Sequence, residues 1–249
     1  MKKIISLVLA VLMALSLSAF AAAEEAAEGV MTYEEYVAAE VQEEVTVETY
    51  IQAKQSWWTD DKGVSQASFY TQAEDGAYFL YNMPCSEEEY ALLEPGVKIR
   101  VTGYKGEWSG EVEIIEAAFE IIDDAEPFIA EAADVTELFG TEELDAYINQ
   151  FIAVKGAILA AANDEGAAYL YKWNGSGQDG DDLYFNVTIN EATYTFTVES
   201  YLCGAGTEVY EAVKALNVGD VIDLEGFLYW YEGPQPHITA VAAAEEIGE

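Results

Sequence analysis

Basic residues are scarce in this sequence. Ten lysines and arginines stand against 47 acidic residues, the formal net charge is −37, and Arg100 is the only arginine. Nucleic-acid binding draws most of its affinity from Lys and Arg side chains that neutralise phosphates, and anionic lipid surfaces attract the same side chains. The charge therefore predicts no nucleic-acid partner and disfavours anionic membrane surfaces. Neutral ligands, cationic partners and divalent metals remain.

Histidine and cysteine are equally scarce, since the chain has only His237, Cys85 and Cys203. No serine, cysteine or acid lies at a spacing from His237 that identifies a catalytic triad. One histidine cannot build a zinc site of the usual kind. We therefore predict no catalytic residue, no enzyme, and a surface or packing role for His237.

Long apolar runs are missing after the first residues of the chain, since no later stretch approaches the ~20 apolar residues of a membrane span. The beginning is different: Lys2 and Lys3 precede the apolar run 4–17, and Ala19 and Ala21 form an A-x-A cleavage signal. This is the pattern of a secretory signal peptide. We predict a signal peptide over residues 1–23, no integral membrane segment, and an exported protein that is secreted or held in the cell envelope.

What the chain does contain is an apolar, repeated body, with 51% hydrophobic and 13% aromatic residues. The segments 78–114 and 194–238 follow one plan: a strand, a cysteine, a short helix, Leu-x-x-Gly, a strand that ends in glycine plus an aromatic, a turn and a strand. An acidic, helix-prone stretch precedes each half. A period of about 110 residues indicates duplicated domains rather than a solenoid. The predicted boundaries are a first domain over 30–121, a linker over 122–133 and a second domain over 134–244.

Local signals agree with this plan. Apolar and polar residues alternate over 183–189 and again over 194–198, which predicts a β-hairpin with one apolar face. Ser86 and Glu89 have the spacing of a helix capping box, and Thr207 is placed to cap the second helix. Gly103 and Gly226 interrupt their strands, as glycines do at bulges and bends.

The order of three strands, one helix and two strands in each half resembles the OB-fold, a small Greek-key barrel. The resemblance covers nearly all of 45–117 and 151–242. It implies a mostly β chain with short helices that forms two tandem OB-fold-like five-stranded barrels. The chain also looks like exported bacterial proteins with tandem OB domains, a resemblance that adds no chemistry. A pair of β-sandwiches is the alternative fold, but it would not place a single helix at that position.

OB barrels generally bind ligands on the outer face of their second and third strands, between two flanking loops. In the second half one flanking loop is an insertion over 163–182, and the other contains the sequence GFLYWYEGPQPHI, residues 226–238. Aromatic walls around a polar floor suit a neutral carbohydrate or a peptide. The alternative is that these rings pack on the first barrel. The predicted ligand-binding residues are Tyr169, Tyr171, Trp173, Tyr184, Asn186, Thr195, Thr197, Tyr229, Trp230 and Tyr231.

Three other functions remain in view. The first is a protein-interaction or envelope-structural module that acts through the acidic surface. The second is calcium binding at Asp179, Asp181 and Asp182, although their spacing differs from the EF-hand loop. The third is an enzyme: some nucleases are built on OB barrels, but their chemistry uses arginines that stabilise phosphate charge, and Arg100 is alone.

Three features concern positions that the two halves share or through which they meet. Residues 78–81 (YFLY) are apolar on both sides of their strand, so this strand is expected at the contact between domains. His237 aligns with Glu113, an outward position in the last strand. Cys85 and Cys203 hold equivalent places in separate domains, normally too far apart for a disulfide. Buried thiols are the first expectation, with a disulfide or reactive thiols as alternatives.

Overall fold

The computed structural model of the protein describes residues 29–244. The predicted signal peptide lies outside these residues. Within the described part, no helix has the length and apolar character needed to cross a membrane.

The first barrel is a sheet closed on itself. Its strands lie in the order β1-β5-β6-β4-β3-β2, and an additional β1–β3 pairing closes the sheet. β2 is a two-residue strand on β3, so five strands form the barrel. The elements are α1 (Tyr33–Ala38), β1 (Glu44–Lys54), β2 (Trp58–Thr59), β3 (Ser65–Gln72), β4 (Ala77–Pro84), α2 (Glu87–Leu92), β5 (Lys98–Trp108) and β6 (Glu111–Ile121).

The second barrel repeats this topology. Its strand order is β7-β8-β12-β13-β11-β10-β9, with an additional β8–β10 pairing that closes the sheet. Two 3-10 helices, Thr136–Leu138 and Glu142–Tyr147, lie between β7 and β8. The elements are β7 (Ala133–Asp134), β8 (Phe151–Ala160), β9 (Leu170–Tyr171), β10 (Leu183–Ile189), β11 (Ala192–Val198), α3 (Glu208–Ala215), β12 (Val221–Phe227) and β13 (His237–Ala243).

The predicted fold is confirmed. Each barrel has one helix between its third and fourth strands, and each closes through one parallel pairing, β4 with β6 and β11 with β13. The remaining neighbours are antiparallel apart from the two-residue strand β7. This is the Greek-key closure that distinguishes an OB-type barrel from a sandwich.

The helix starts follow the local signals. The Ser86 hydroxyl accepts from the Glu89 N–H at 3.2 Å, and the Glu89 carboxylate accepts from the Ser86 N–H at 2.7 Å, which completes the predicted capping box. Thr207 caps α3 through the Tyr210 N–H at 3.4 Å. The helix-prone stretch of the second half becomes a 3-10 helix, because Thr141 makes no capping bond there. Its third following residue is Leu144, which cannot return the bond.

The two glycine interruptions lie at β-bulges. The register of β5 on β6 shifts between Thr102 and Tyr104, around Gly103. The register of β12 on β13 shifts between Glu225 and Gly226. A Cβ atom on Gly226 would overlap the carbonyl oxygen of His237, so the close approach of the two backbones requires glycine.

Each barrel has its own apolar core, and a third cluster joins them. The third cluster consists of Tyr70, Phe79 and Phe227, all buried, with Ala53, Phe151, Leu202 and Tyr229 packed against it. Phe79 belongs to the strand segment 78–81, so the expected contact between domains at this strand is confirmed. Both thiols are free, with Cys85 buried and Cys203 half-buried.

Candidate functional site

The outer face of β3 and β4, the position where OB barrels bind ligands, is partly covered by the second barrel. The ring of Tyr70 on β3 stacks on Phe227 at 4.3 Å between centroids. Phe79 on β4 meets Tyr229 edge to face at 5.7 Å. Backbone groups join the barrels as well, since the Ser56 N–H donates to the Tyr201 carbonyl at 2.7 Å. The barrels are therefore held together by packing and by hydrogen bonds.

His237 lies at the centre of this contact. Its Nδ1 atom is 2.7 Å from the Tyr70 hydroxyl, and its ring stacks on Tyr229 at 4.3 Å. Burial lowers the pKa of His237 to about 3, because a charged imidazolium would lose its hydration there. His237 is thus a neutral packing residue whose first-barrel partner fixes its orientation.

Beside this contact the two barrels leave a cleft of about 420 Å³. That volume is within the range of small-molecule sites in proteins. The second barrel lines it with Glu199, Tyr201, Tyr229 and His237. The first barrel lines it with Gln55, Ser56, Trp58, Ser68, Phe79, Tyr81 and Asn82.

Three aromatic side chains of the cleft remain open to solvent. The exposed fractions are 42% for Trp58, 46% for Tyr81 and 61% for Tyr201. Each belongs to a different segment: β2, β4 and the turn that follows β11. Exposed rings that converge on one concave surface are the usual walls of a ligand site.

A β-bulge shapes the first-barrel wall of the cleft. Ala67 pairs with Met83 and Phe69 pairs with Leu80, so Ser68 alone faces both Tyr81 and Asn82. Asn82 has φ of +46°, and its N–H donates to the Ser68 hydroxyl at 3.0 Å. Bulges re-aim side chains and are frequent beside functional sites. An asparagine inside an apolar strand is the sequence signal that could have revealed it, because asparagine tolerates positive φ.

Glu199 supplies the acidic group of the cleft. One of its oxygens accepts from the Tyr201 N–H at 3.2 Å, whereas Oε2 is buried without a hydrogen-bond partner. Burial, with a smaller contribution from the charge of Asp182, raises the pKa of Glu199 to about 7. The carboxyl therefore changes charge near neutral pH, and no cation of the described residues lines the cleft with it.

Two further carboxyls are buried where β6 meets the second barrel. Oε2 of Glu111 accepts from the Trp230 N–H at 2.8 Å, and its Oε1 has no partner. Burial raises the pKa of Glu111 to about 8 and that of Glu113 to about 7. The predicted outward position of Glu113 is buried, because the second barrel covers this side of β6.

Of the ten predicted ligand-binding residues, Tyr229 lines the cleft. Its packing on Phe79 agrees with the alternative expectation that rings of this loop contact the first barrel. Trp230 lies on the other side of the chain, against the core of the second barrel, and Tyr231 is 45% exposed. The rings of 227–231 thus divide between two surfaces, as strand alternation requires.

The other seven predicted residues lie away from the cleft lining. Tyr169 and Tyr171 pack edge to face at 5.4 Å, against the second core, and Trp173 is 74% exposed. The Thr195 hydroxyl donates to the Asn186 side chain at 2.9 Å. Tyr184 is half-buried on β10, opposite Thr197, which is buried. The structure does not bring the insertion loop and the 228–236 loop together in one cleft.

The three aspartates of the insertion have protein partners. The Asp179 carboxylate accepts from the Lys214 ammonium at 2.8 Å, and Asp182 accepts from the Ser200 hydroxyl at 2.6 Å. Asp181 accepts from the Gln178 N–H at 2.9 Å. Among residues 29–244, no three His, Cys, Asp or Glu side chains are grouped so as to hold a metal ion.

The barrel pair was compared with known proteins. No protein-family model and no curated protein matches the chain. Among solved structures, a murine DNA-binding protein bound to double-stranded DNA has 10% identity and a TM-score of 0.36 over 82% of this chain and 98% of that one. The p204 HINb domain has 11% identity and a TM-score of 0.36, over 82% and 98%. The single-stranded DNA-binding protein of Thermus aquaticus has 14% identity and a TM-score of 0.29, over 83% and 96%.

These comparisons correct three predictions. The prediction of a neutral carbohydrate or peptide as the ligand of the second-barrel loops is wrong. The alternative prediction of an interaction module that acts through the acidic surface is also wrong. The exclusion of nucleic acid as a partner is wrong as well. Two of the similar structures are described as DNA-binding proteins. The prediction rested on a charge summed over the whole chain, which does not specify the charge of any single surface. At these identities the likeness concerns the fold.

Proposed function

We propose that the protein binds a small organic ligand in the cleft between its two barrels. The observation that carries the proposal is the convergence of three solvent-open rings and one partly unpartnered carboxyl in a cavity of about 420 Å³. The cleft occupies the part of the OB ligand face on the first barrel that the second barrel leaves open.

The barrel contact supports a preformed site. Tyr70, Phe227 and His237 fix the position of Tyr229 on one side of the cleft. The Ser56–Tyr201 hydrogen bonds fix the other side. A site held by packed neighbours loses little conformational entropy when the ligand arrives, which favours affinity.

The test is a fragment library screened by ligand-observed NMR against the full described chain, 29–244. Trp58→Ala and Tyr201→Ala each remove one wall of the cleft, and Trp173→Ala is the matched control, because it removes an exposed ring of the second-barrel insertion. Each lost ring contact contributes about 0.5–1.5 kcal/mol, so affinity should fall roughly two- to tenfold per cleft variant. The control should bind as tightly as the unchanged protein.

The screen also includes a single-stranded thymidine oligonucleotide and a 20-base-pair DNA duplex. Fragments that bind equally well to Trp58→Ala, Tyr201→Ala and the parent protein would refute the cleft as the site. Saturable binding of either DNA, with no fragment bound in the cleft, would replace the proposal with nucleic-acid recognition.

We further propose that the protein is exported by its N-terminal segment. The support is the charge and apolar pattern of residues 1–23, which is that of a cleaved signal peptide. Expression of the full chain in a bacterial host, followed by mass spectrometry of the product, tests this. We expect cleavage after Ala21 or Ala23. An uncleaved protein that still begins with Met1 and stays inside the cell would contradict the proposal.

A further inference from the structure

We propose that the ligand of the cleft is a small organic cation, held by the Glu199 carboxylate as counter-ion and by the faces of Trp58, Tyr81 and Tyr201. The inference rests on the proposed function and adds the chemical class of the ligand. It begins with the signs of the groups that face the cavity.

Glu199 carries the one ionisable charge of the lining that changes near neutral pH. Among the described lining residues, His237 is the one that could carry a positive charge. Burial lowers the pKa of His237 to about 3, so it is neutral. No lysine or arginine belongs to the described lining. Near neutral pH the cleft is therefore negative or neutral and carries no positive charge.

Among residues 29–244, no cation pairs with the Glu199 carboxylate. One oxygen has the Tyr201 N–H and the other, Oε2, has no hydrogen-bond partner. A carboxylate removed from water without a paired charge is unfavourable, which is why its pKa is raised. A ligand cation beside it would supply the missing charge and restore the ionised form.

The rings complete a site for a cation rather than for an anion. Trp, Tyr and Phe faces carry negative quadrupole charge and attract ammonium groups within about 6 Å of the ring centroid. Trp58, Tyr81 and Tyr201 are 42–61% exposed, so their surfaces are available. An anionic ligand would meet a carboxylate and electron-rich rings with no cation to receive it.

An inorganic ion would need more ligands than the cleft offers. Calcium takes six to eight oxygen ligands. The lining offers one carboxylate, two serine and three tyrosine hydroxyls and two side-chain amides, which cannot replace its hydration shell as a set of charged groups would. No group of three metal-ligating side chains occurs in residues 29–244. Aromatic walls instead favour a cation with apolar surface, such as an alkyl- or arylammonium.

The experiment compares cations with neutral compounds of the same shape by isothermal titration calorimetry at pH 8. The pairs are choline with 3,3-dimethylbutan-1-ol, and tyramine with tyrosol. In each pair an ammonium or a neutral group occupies the same position. We expect each cation to bind at least about tenfold more tightly than its neutral partner.

Glu199→Gln should remove that preference while leaving neutral-compound binding in place. Glu225→Gln is the matched control, since it removes one negative charge from an exposed position of β12 outside the cleft. It should keep the preference. Equal binding of cations and neutral partners by the unchanged protein would overturn the inference, and so would an undiminished preference in Glu199→Gln.

The pH profile of choline binding gives a second readout that needs no variant. Choline has a permanent charge, so any change in its affinity reflects the protein. Because the pKa of Glu199 is about 7, affinity should fall about tenfold from pH 8 to pH 6. Four other titratable groups near Glu199 have raised pKa values and stay neutral in this pH range: Cys203, Tyr70, Tyr184 and Tyr229. Asp182 is the acidic neighbour of Glu199.

Glu111 and Glu113 also titrate in this window, so the profile is repeated in Glu199→Gln, where it should be flat. A profile of unchanged slope in that variant would assign the effect to those carboxyls and overturn the inference. The two proposals fail separately. If neutral and cationic compounds bind equally and both lose affinity in Trp58→Ala, only the inference of a cationic ligand is contradicted. If the compounds bind Trp58→Ala as tightly as the parent protein, the cleft itself is contradicted as the binding site.

Discussion

The two barrels share one topology, and they differ most instructively at a single equivalent position. Glu113 on β6 lies beside Phe79 of β4, and His237 on β13 lies beside Thr197 of β11, each through the parallel pairing that closes its barrel. One is an acid and the other a base, and both are buried. Burial raises the pKa of Glu113 to about 7 and lowers that of His237 to about 3.

The opposite shifts have one cause. Desolvation penalises whichever form is charged, so it favours the protonated acid and the deprotonated base alike. The contact between the barrels therefore selects neutral side chains at both equivalent positions. Glu199 obeys the same rule at the edge of the contact, but there a cavity lies beside it, and an incoming cation can reverse the effect.

The barrels also differ in how they build a wall. The second has a long insertion over 163–182, whereas the first has a bulge at Tyr81 and Asn82. The insertion attracts attention in the sequence, but its tyrosines pack on their own barrel. The bulge displaces one residue and brings Tyr81 and Asn82 to the cleft.

The largest expected effect is a loss of stability on substitution of a bulge glycine by alanine, and it should differ between Gly226 and Gly103. In Gly226→Ala the new methyl would overlap backbone atoms of His237 and Ile238, so the strands must separate, at a cost of about 3 kcal/mol or more. In Gly103→Ala one of the nearest atoms is a movable Ile114 side-chain carbon at 2.8 Å, although the Ile115 carbonyl is also at 2.8 Å. Urea denaturation should rank Gly226→Ala as the more destabilised. A reversed order would contradict the assigned registers.

The next effect is the pH dependence of stability. Glu111 and Glu113 are ionised in the unfolded chain above pH 5, but their folded pKa values are about 8 and about 7. The folded state thus binds more protons in this window, and stability must fall as pH rises through it. Unfolding free energy should drop by roughly 2–4 kcal/mol between pH 6 and pH 9.

The double variant Glu111→Gln, Glu113→Gln should lose most of that dependence, since neither amide titrates, and Glu199, with a folded pKa of about 7, keeps a smaller part of it. Glu225→Gln, which removes an exposed acid, should keep the slope of the parent protein. Thermal melts across pH measure all three. A parent slope that persists in the double variant would show that other groups produce it.

A smaller effect is expected for Tyr70→Phe. The change leaves Nδ1 of the buried His237 without its partner across the barrel contact, which should destabilise the protein by about 1–3 kcal/mol. Tyr104→Phe is the control, because that ring is 38% exposed and should stay within about 0.5 kcal/mol. Equal stabilities would mean that the Tyr70–His237 bond contributes nothing to the contact.

Much of the fold could be predicted because its signals are local. The Ser86 capping box, the hairpin over 183–198 and the bulge glycines each act within a few residues, and their repetition supplied two readings of one plan. The contact through 78–81 was also visible, since a strand apolar on both faces needs two covers.

The cleft could not be predicted in the same way. Trp58 and Tyr81 of the first barrel meet Tyr201 only through the placement of the second barrel on the first. Glu199 directly follows β11, and its raised pKa depends on burial that no local pattern reports. The inserted loop drew attention because it was long and aromatic, but Tyr169 and Tyr171 pack against the second core, whereas Trp173 is 74% exposed.

The most direct test of the cleft uses the protein labelled with 5-fluorotryptophan, observed by fluorine NMR during titration with tyramine. Tryptophans occur both in the cleft, at Trp58, and in the loops of the second barrel, at Trp173 and Trp230. Substitution of each tryptophan by phenylalanine assigns its resonance. We predict that the Trp58 resonance shifts with saturation while that of Trp173 stays fixed. A saturable shift of Trp173 or Trp230 with Trp58 unmoved would contradict the account and return the site to the loops of the second barrel.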